Sequence, residues 1–392
     1  MGRFLHMPIY LDYAASTPLD AGVREAMNAA ADLVGNPSAT HSFGRAARLA
    51  VDGARRDVAA FLSAHEDEIT FTSGATEANN LAMLGFWRSL TLSERQGARL
   101  LVSPLEHASV LEAVRLMEGE GAVVDWLTVD ASAVVSADLT GLLRPETVLV
   151  ACLWVSNAFG TIQPIADLAN AVAAERQRRA AGGRPLHFHV DAVQAARFLA
   201  LQPAVAGVDT LSLSGHKLYG PKGIGCLWRR RGLKTRPLLV GGGQESGMRA
   251  GTENVSGAVA FGAAAHLAGA RRQEELANAQ RLEDLLWSQV AAAGLSCEAV
   301  GDRRQAVPGI IALRLGRRQA DQLAMTLDAA GVAVATGSAC DSGKREPSRG
   351  AVAVLGAQAA RLGFIRLSFG LGTNDSHMIS MVATGLKVTG NH

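Results

Sequence analysis

Cysteine is scarce: the 392 residues include only 4, and no two are spaced Cys-x-x-Cys. Neither a metal-ligating pair nor a disulfide framework is on offer, so no metal site is expected and each thiol is read singly. A surplus of one charge is missing too, with 38 Lys plus Arg against 36 Asp plus Glu and a formal net charge of +2. That near balance gives no reason to expect nucleic acid or an anionic membrane as a direct partner. Hydrophobic residues make up 48%, yet no uninterrupted apolar run is long enough to span a bilayer. The opening segment, Met1 to Pro8, lacks the apolar core of a secretory signal. There is no internal repeat and no low-complexity linker. These absences lead to the expectation of a soluble, cytoplasmic protein, a setting that also suits a reactive thiol.

The length exceeds a typical single domain, so two are expected. Strand-like runs alternate with alanine-rich helical stretches from about residue 69 to 228, the pattern of an α/β fold with a mostly parallel sheet covered by helices. Candidate strands are 68–72, 99–103, 123–128, 148–154, 186–190, 210–213 and 225–228. A helical stretch over 255–293 leads into a region of different pattern, where 310–315 and 365–368 read as strands of a smaller α+β C-terminal domain. The boundaries expected are 17–257 for the large domain, with 1–16 and 258–392 forming the small one.

Ser214-Gly215-His216-Lys217 is the most telling segment, because it sets an amine at the end of a strand just before a glycine-rich turn. A lysine held against a partly desolvated pocket loses its proton more easily than a surface lysine and can form a Schiff base. Pyridoxal phosphate needs such an amine, and hydroxyl or N–H donors such as Ser214 and His216 for its phosphate. Alone the tetrapeptide could equally be a solvated loop. Upstream, an apolar-alternating strand ends in Asp191, with Gln194 three residues on. A carboxylate there can hold a proton on the pyridine nitrogen, and Gln194 could reach the phenolic oxygen; the plainer reading is that Asp191 caps the next segment. Gly74-Ala75-Thr76 reads as a glycine turn opening a helix, whose free N–H groups and Thr76 hydroxyl form an anion site. His107 follows the strand at 99–103, where its ring could stack on pyridoxal or move protons. Asn157 follows 148–154 and could donate to the cofactor or to a substrate carboxylate, or merely shape a turn. Thr76, His107, Asn157 and Asp191 follow separate strands, as for ligands gathered at one sheet edge.

Taken in order, these segments resemble the pyridoxal-phosphate enzymes of the class V aminotransferase group, most closely the cysteine desulfurases. The resemblance runs from Ile9-Tyr-Leu-Asp-Tyr-Ala-Ala-Ser-Thr-Pro18 through Gly241-Gly-Gly-Gln-Glu-Ser-Gly-Met-Arg-Ala-Gly-Thr-Glu-Asn254 to Ile365-Arg-Leu-Ser-Phe-Gly370. It implies a fold-type I homodimer with sites at the subunit interface, where Thr252 would reach the phosphate bound mainly by the partner subunit. Arg249, in the same motif, has no assigned role. The resemblance also implies L-cysteine as substrate, with Arg366 binding its carboxylate alongside Asn157, unless Arg366 serves only a structural ion pair.

Cys340 narrows the reaction. It lies in the small, polar, glycine-bearing stretch Ala335-Thr-Gly-Ser-Ala-Cys340-Asp-Ser-Gly, a composition that predicts a mobile loop. In desulfurases a cysteine in a similar Gly-Ser-Ala-Cys setting takes the substrate sulfur as a persulfide and passes it to an acceptor protein, for iron–sulfur cluster assembly or another sulfur transfer. Cys152 and Cys226 lie in apolar runs and read as core, and Cys297 has no readable role. Three places depart from the family pattern: Ala158-Phe159, Arg349-Gly350 and Leu371-Gly372. Two other readings stay open. One is another pyridoxal enzyme of the same fold, such as a selenocysteine lyase, an aminotransferase or a β-lyase; the other is a non-catalytic sulfur-relay scaffold.

Overall fold

Seven strands build the main sheet, in the order Ile69–Thr72, Gly225–Arg229, Thr210–Ser214, His187–Asp191, Thr147–Ala151, Arg99–Val102 and Val123–Trp126. The structure is a computed structural model that describes residues 8–179, 183–315, 318–337 and 347–389. Every residue of Thr147–Ala151, His187–Asp191 and Thr210–Ser214 is buried, as expected of central strands covered by helices on both faces. The strands from Thr210–Ser214 across to Val123–Trp126 are mutually parallel. Gly225–Arg229 is the exception, antiparallel to both its neighbours. The short connection from Ser214 to Gly225 cannot hold the crossover that a parallel return needs, so the chain turns straight back. The carboxyl ends of the parallel strands therefore share one edge, and the loops that follow them meet there.

A second, antiparallel sheet runs Ala335–Thr336, Ile365–Ser368, Ile310–Leu315 and Cys297–Val300. Ile9–Tyr10 pairs in parallel with Val332–Ala333, which brings the N-terminal segment to this region, and Leu11 is buried in its core with Leu282, Ile311 and Leu367. The helix Val255–Ala292, 38 residues and so about 57 Å long, serves both cores. Its Ala258, Phe261 and Ala264 pack under the main sheet, whereas Ala279, Leu282 and Leu286 pack on the second. Between them Glu275 pairs with the fully buried Arg197, whose guanidinium also donates to the Phe369 carbonyl at 3.0 Å. Breaking one partner of such a buried pair typically costs about 3–5 kcal/mol, because the other charge is left bare.

Two of the departures from the family pattern have a packing account. Phe159 is buried, with its ring centroid 5.0 Å from that of Phe364. Gly350 allows the helix Arg349–Leu355 to lie close on the chain before His107: a Cβ at this position would stand 3.2 Å from the Pro104 carbonyl oxygen and 3.4 Å from Leu105 Cα. Arg349 in turn lies over the Trp126 ring, 4.0 Å from its centroid. At the third, Leu371 N–H donates to the Tyr219 hydroxyl at 3.1 Å.

Candidate active site

A cavity of about 600 Å³ opens at the carboxyl edge of the main sheet. Ala75, Thr76, His107, Asn157, Asp191, Gln194, Ser214, His216, Lys217 and Arg366 all line it, so all of the sequence candidates but two meet in one place. Thr252 is the first exception: it is exposed and stands outside its own chain's cavity. Cys340 is the second, and it lies outside the described residues.

Lys217 ends a single 3-10 turn that breaks the strand Thr210–Ser214. Its Nζ donates to the carbonyls of Ala14 at 2.5 Å and Ala15 at 2.8 Å, which holds the amine against the N-terminal segment. Gln194 Nε2 donates to the same Ala14 carbonyl at 2.8 Å. His216 is pushed down to about 4 by burial and by the neighbouring Lys217 and Lys222, so its ring is neutral near pH 7.

Asp191 closes its strand with its side chain 7% exposed. One oxygen accepts from Val193 N–H at 3.0 Å and the other from Asn79 Nδ2 at 2.8 Å. The capping reading and the cavity reading of Asp191 thus hold together. His107 likewise caps its helix, its Nδ1 accepting from Ser109 N–H at 3.1 Å, while the ring borders the cavity.

The helix Ala75–Ser89 begins at Gly74, whose φ of +151° few other residues adopt and whose lack of a side chain leaves the first-turn N–H groups uncapped. Glu77 in that turn accepts from Ser73 N–H at 2.7 Å; burial pushes its carboxyl up, but the bonds from Arg249 and Ser73 outweigh this and hold it below the usual value. Arg249 donates to it at 3.0 Å, which gives Arg249 a task the sequence did not reveal: tying the segment that carries Thr252 to the first turn of this helix. Glu245 strengthens the tie, with Arg55 at 2.7 Å and Phe71 N–H at 2.8 Å.

Arg366 is 5% exposed and does make an ion pair, to Asp12 at 2.7 Å, with a further bond to the Asn157 carbonyl at 2.9 Å. Its Nε is buried without a hydrogen-bond partner among the described residues. The pair sits on the cavity wall, so the guanidinium is both structurally held and placed to meet a carboxylate.

Sequence reading also missed Asn79, which is wholly buried. The available signal was weak, a pair of amides, Asn79-Asn80, just before the apolar run that starts at Leu81. Behind it His187 and His189 are buried and pushed down to about 4 and about 3 by loss of hydration. Both folded values lie below the ordinary 6.5, so below that pH the unfolded chain binds protons that the folded chain refuses. Stability should therefore fall as pH drops from about 6.5 toward 4, by about 1.4 kcal/mol per pH unit for each histidine. Urea midpoints at pH 7 and pH 5 check this, and equal midpoints would contradict it.

The donor set fits pyridoxal phosphate: an amine to bond the aldehyde carbon, a buried carboxylate for the ring nitrogen, and an uncapped helix start beside Ser214 and His216 for the phosphate. Among the described residues no three His, Cys, Asp or Glu are grouped to hold a metal ion, and no helix is long and apolar enough to cross a membrane.

Comparison with known proteins agrees with this geometry. The model of the family described as aminotransferase class-V matches residues 9–378. A Bacillus subtilis protein named putative cysteine desulfurase IscS 1 is 40% identical over 378 residues, 96% of each chain. Among solved structures, a NIFS-like protein superposes with a TM-score of 0.88 at 28% identity, covering 97% of this chain and 99% of its own. A structure described as SspA in complex with cysteine gives a TM-score of 0.76 at 33% identity, covering 92% and 98%. The chain belongs to the class-V aminotransferase family of pyridoxal-phosphate enzymes.

Proposed function

We propose that this chain is a cysteine desulfurase, converting L-cysteine to L-alanine and holding the sulfur on Cys340 as a persulfide. The observation that carries the reading is the meeting of Lys217, Asp191 and Arg366 on one cavity wall, in a chain whose relatives bear that name along nearly their whole length. Lys217 would hold the cofactor through Nζ, Asp191 would keep a proton on the ring nitrogen, and Gln194 would face the phenolic oxygen. Ala75, Thr76, Ser214 and His216 would receive the phosphate. Bound pyridoxal phosphate supplies an electron sink, which stabilises negative charge at the substrate's α-carbon.

The rest falls to the protein's own side chains. Arg366 binds the substrate carboxylate as a two-pronged donor, with Asn157 beside it, and so orients the α-hydrogen. Lys217 Nζ, once free, takes that proton. His107, on the cavity wall, would face the cofactor ring and handle protons near the substrate sulfur. The Cys340 thiolate attacks the substrate sulfur; the S–S bond forms as the C–S bond breaks, and the carbon keeps the bonding pair and is protonated to give alanine. Cysteine plus thiol thus becomes alanine plus persulfide, with no external oxidant. A thiol acceptor, as in iron–sulfur cluster assembly or another sulfur transfer, then removes the outer sulfur.

The working form in this reading is a cytoplasmic homodimer. The segment of Thr252 supports the dimer, since Arg249 ties it to Glu77 at the first turn of the helix Ala75–Ser89, yet Thr252 is exposed and lies outside its own chain's cavity. Cys340→Ala should still bind L-cysteine, seen as a change in cofactor absorption, but should lose persulfide formation and nearly all alanine formation. If Cys340→Ala released sulfide as fast as the native protein, a β-lyase or selenocysteine lyase would be the better description.

A further inference from the structure

Asn79 occupies a wholly buried position on its helix, between Ala78 and the buried Leu81 and Ala82. Its amide serves three partners. Nδ2 lies 2.8 Å from Asp191 Oδ2 and 2.8 Å from Ser109 Oγ, and Oδ1 lies 3.0 Å from His189 Nε2. An ionised carboxylate only accepts hydrogen bonds, so Asp191 dictates which end of the amide faces it.

That one constraint sets the direction of every other bond in the group. Asn79 Oδ1 accepts, so His189 carries its proton on Nε2. His189 Nδ1 then accepts from the Thr210 hydroxyl at 2.9 Å, and Thr210 accepts in turn from His187 Nε2 at 2.8 Å. Neutral rings at both positions agree with their burial. On the other side Ser109 Oγ accepts from Asn79, so its single proton goes to His107 Nδ1, 2.8 Å away. His107 Nδ1 also accepts from Ser109 N–H at 3.1 Å. A ring nitrogen accepting twice is the unprotonated one, and the proton of the neutral imidazole sits on Nε2.

We infer that Asn79 and Ser109 are positioning residues: one buried amide orients the Asp191 carboxylate and, through the Ser109 hydroxyl, fixes His107 as the Nε2–H tautomer. The cavity thereby receives two groups already set for their tasks, an acceptor at Asp191 and a ring N–H at His107, coupled through Asn79. This rests on the reading that Asp191 and His107 both face the cofactor.

The test uses holoenzyme with ¹⁵N-labelled histidine, comparing native protein with Ser109→Ala and Ser109→Thr. Native protein should show His107 as a single tautomer protonated on Nε2. Ser109→Ala keeps the backbone N–H donor to Nδ1 but loses the hydroxyl, so the Nε2–H share should fall to a mixture still weighted toward Nε2–H, with kcat for alanine formation lower by roughly three- to tenfold, the bias that one hydrogen bond provides. KM for L-cysteine should stay within about twofold, because the carboxylate site is untouched. Ser109→Thr, which keeps the hydroxyl, should restore both the single tautomer and kcat. An unchanged tautomer in Ser109→Ala, or a native His107 protonated on Nδ1, would overturn the inference. The tautomer is read without turnover, so a native protein that made no alanine would count against the proposed reaction alone, and the tautomer result would still decide this inference.

Discussion

Lys217→Ala is expected to leave a folded protein with no measurable desulfuration, a loss of at least about a thousandfold. A positioned acid–base group alone contributes roughly 10²–10⁴ in rate, and this substitution also removes the only covalent hold on the cofactor that the proposal contains. The amine occupies the cavity from the end of a central strand, held by the Ala14 and Ala15 carbonyls, and its removal creates no gap in the main core. Loss of function should therefore come without a large loss of stability. Absorption spectra should show the cofactor as free aldehyde, displaced on gel filtration more readily than from the native protein. Retention of a tenth of the native rate would mean that another amine carries the chemistry, and Lys222, also on the cavity wall, would be examined next.

Asp191→Asn should produce the second large effect, a fall in kcat on the order of 10²–10³-fold, the range seen when one stabilising group is taken from a developing charge. The amide keeps the size of the carboxylate, but its single oxygen can accept from only one of Asn79 and Val193, whose bonds at 2.8 and 3.0 Å hold the strand end. It cannot keep a positive charge on the ring nitrogen. Cofactor should still bind, held by Lys217 and the phosphate groups, and the lost buried hydrogen bond should cost about 1–3 kcal/mol in stability, too little to unfold the protein. Steady-state alanine formation and cofactor absorption measured together check this. A kcat within tenfold of native would remove Asp191 from the proposed chemistry.

The parts of the fold that were legible in the sequence are those governed by short-range pattern. Each of the seven strands of the main sheet lies within a few residues of its expected place, because each shows a local pattern, either an apolar run such as Thr147–Ala151 or an alternation such as Thr210–Ser214. The run at 148–154 was drawn too long: the strand ends at Ala151, and the apolar residues after it turn toward the cavity wall at Leu153 and Val155. The two-residue strand Ile9–Tyr10 exists only through its partner Val332–Ala333, far along the chain, and no local pattern marks it.

The site divides in the same way. Lys217, Asp191 and Thr76 each sit at a strand or helix end with a distinctive local sequence, so their gathering at one sheet edge followed from topology. Asp12 and Arg366 meet across 354 residues of sequence. Arg249 meets Glu77 across 172, and neither pairing has a local signature. Asn79 carried little local signal, and its meaning needed three partners from two other segments, the strand His187–Asp191 and the helix that holds Ser109.

The most direct test of the central claim is to incubate purified protein, loaded with pyridoxal phosphate, with L-cysteine and a thiol reductant, and to measure alanine and sulfide together. The account predicts equal amounts of the two products. Neither product, from protein whose visible absorption shows cofactor bonded to Lys217, would contradict it.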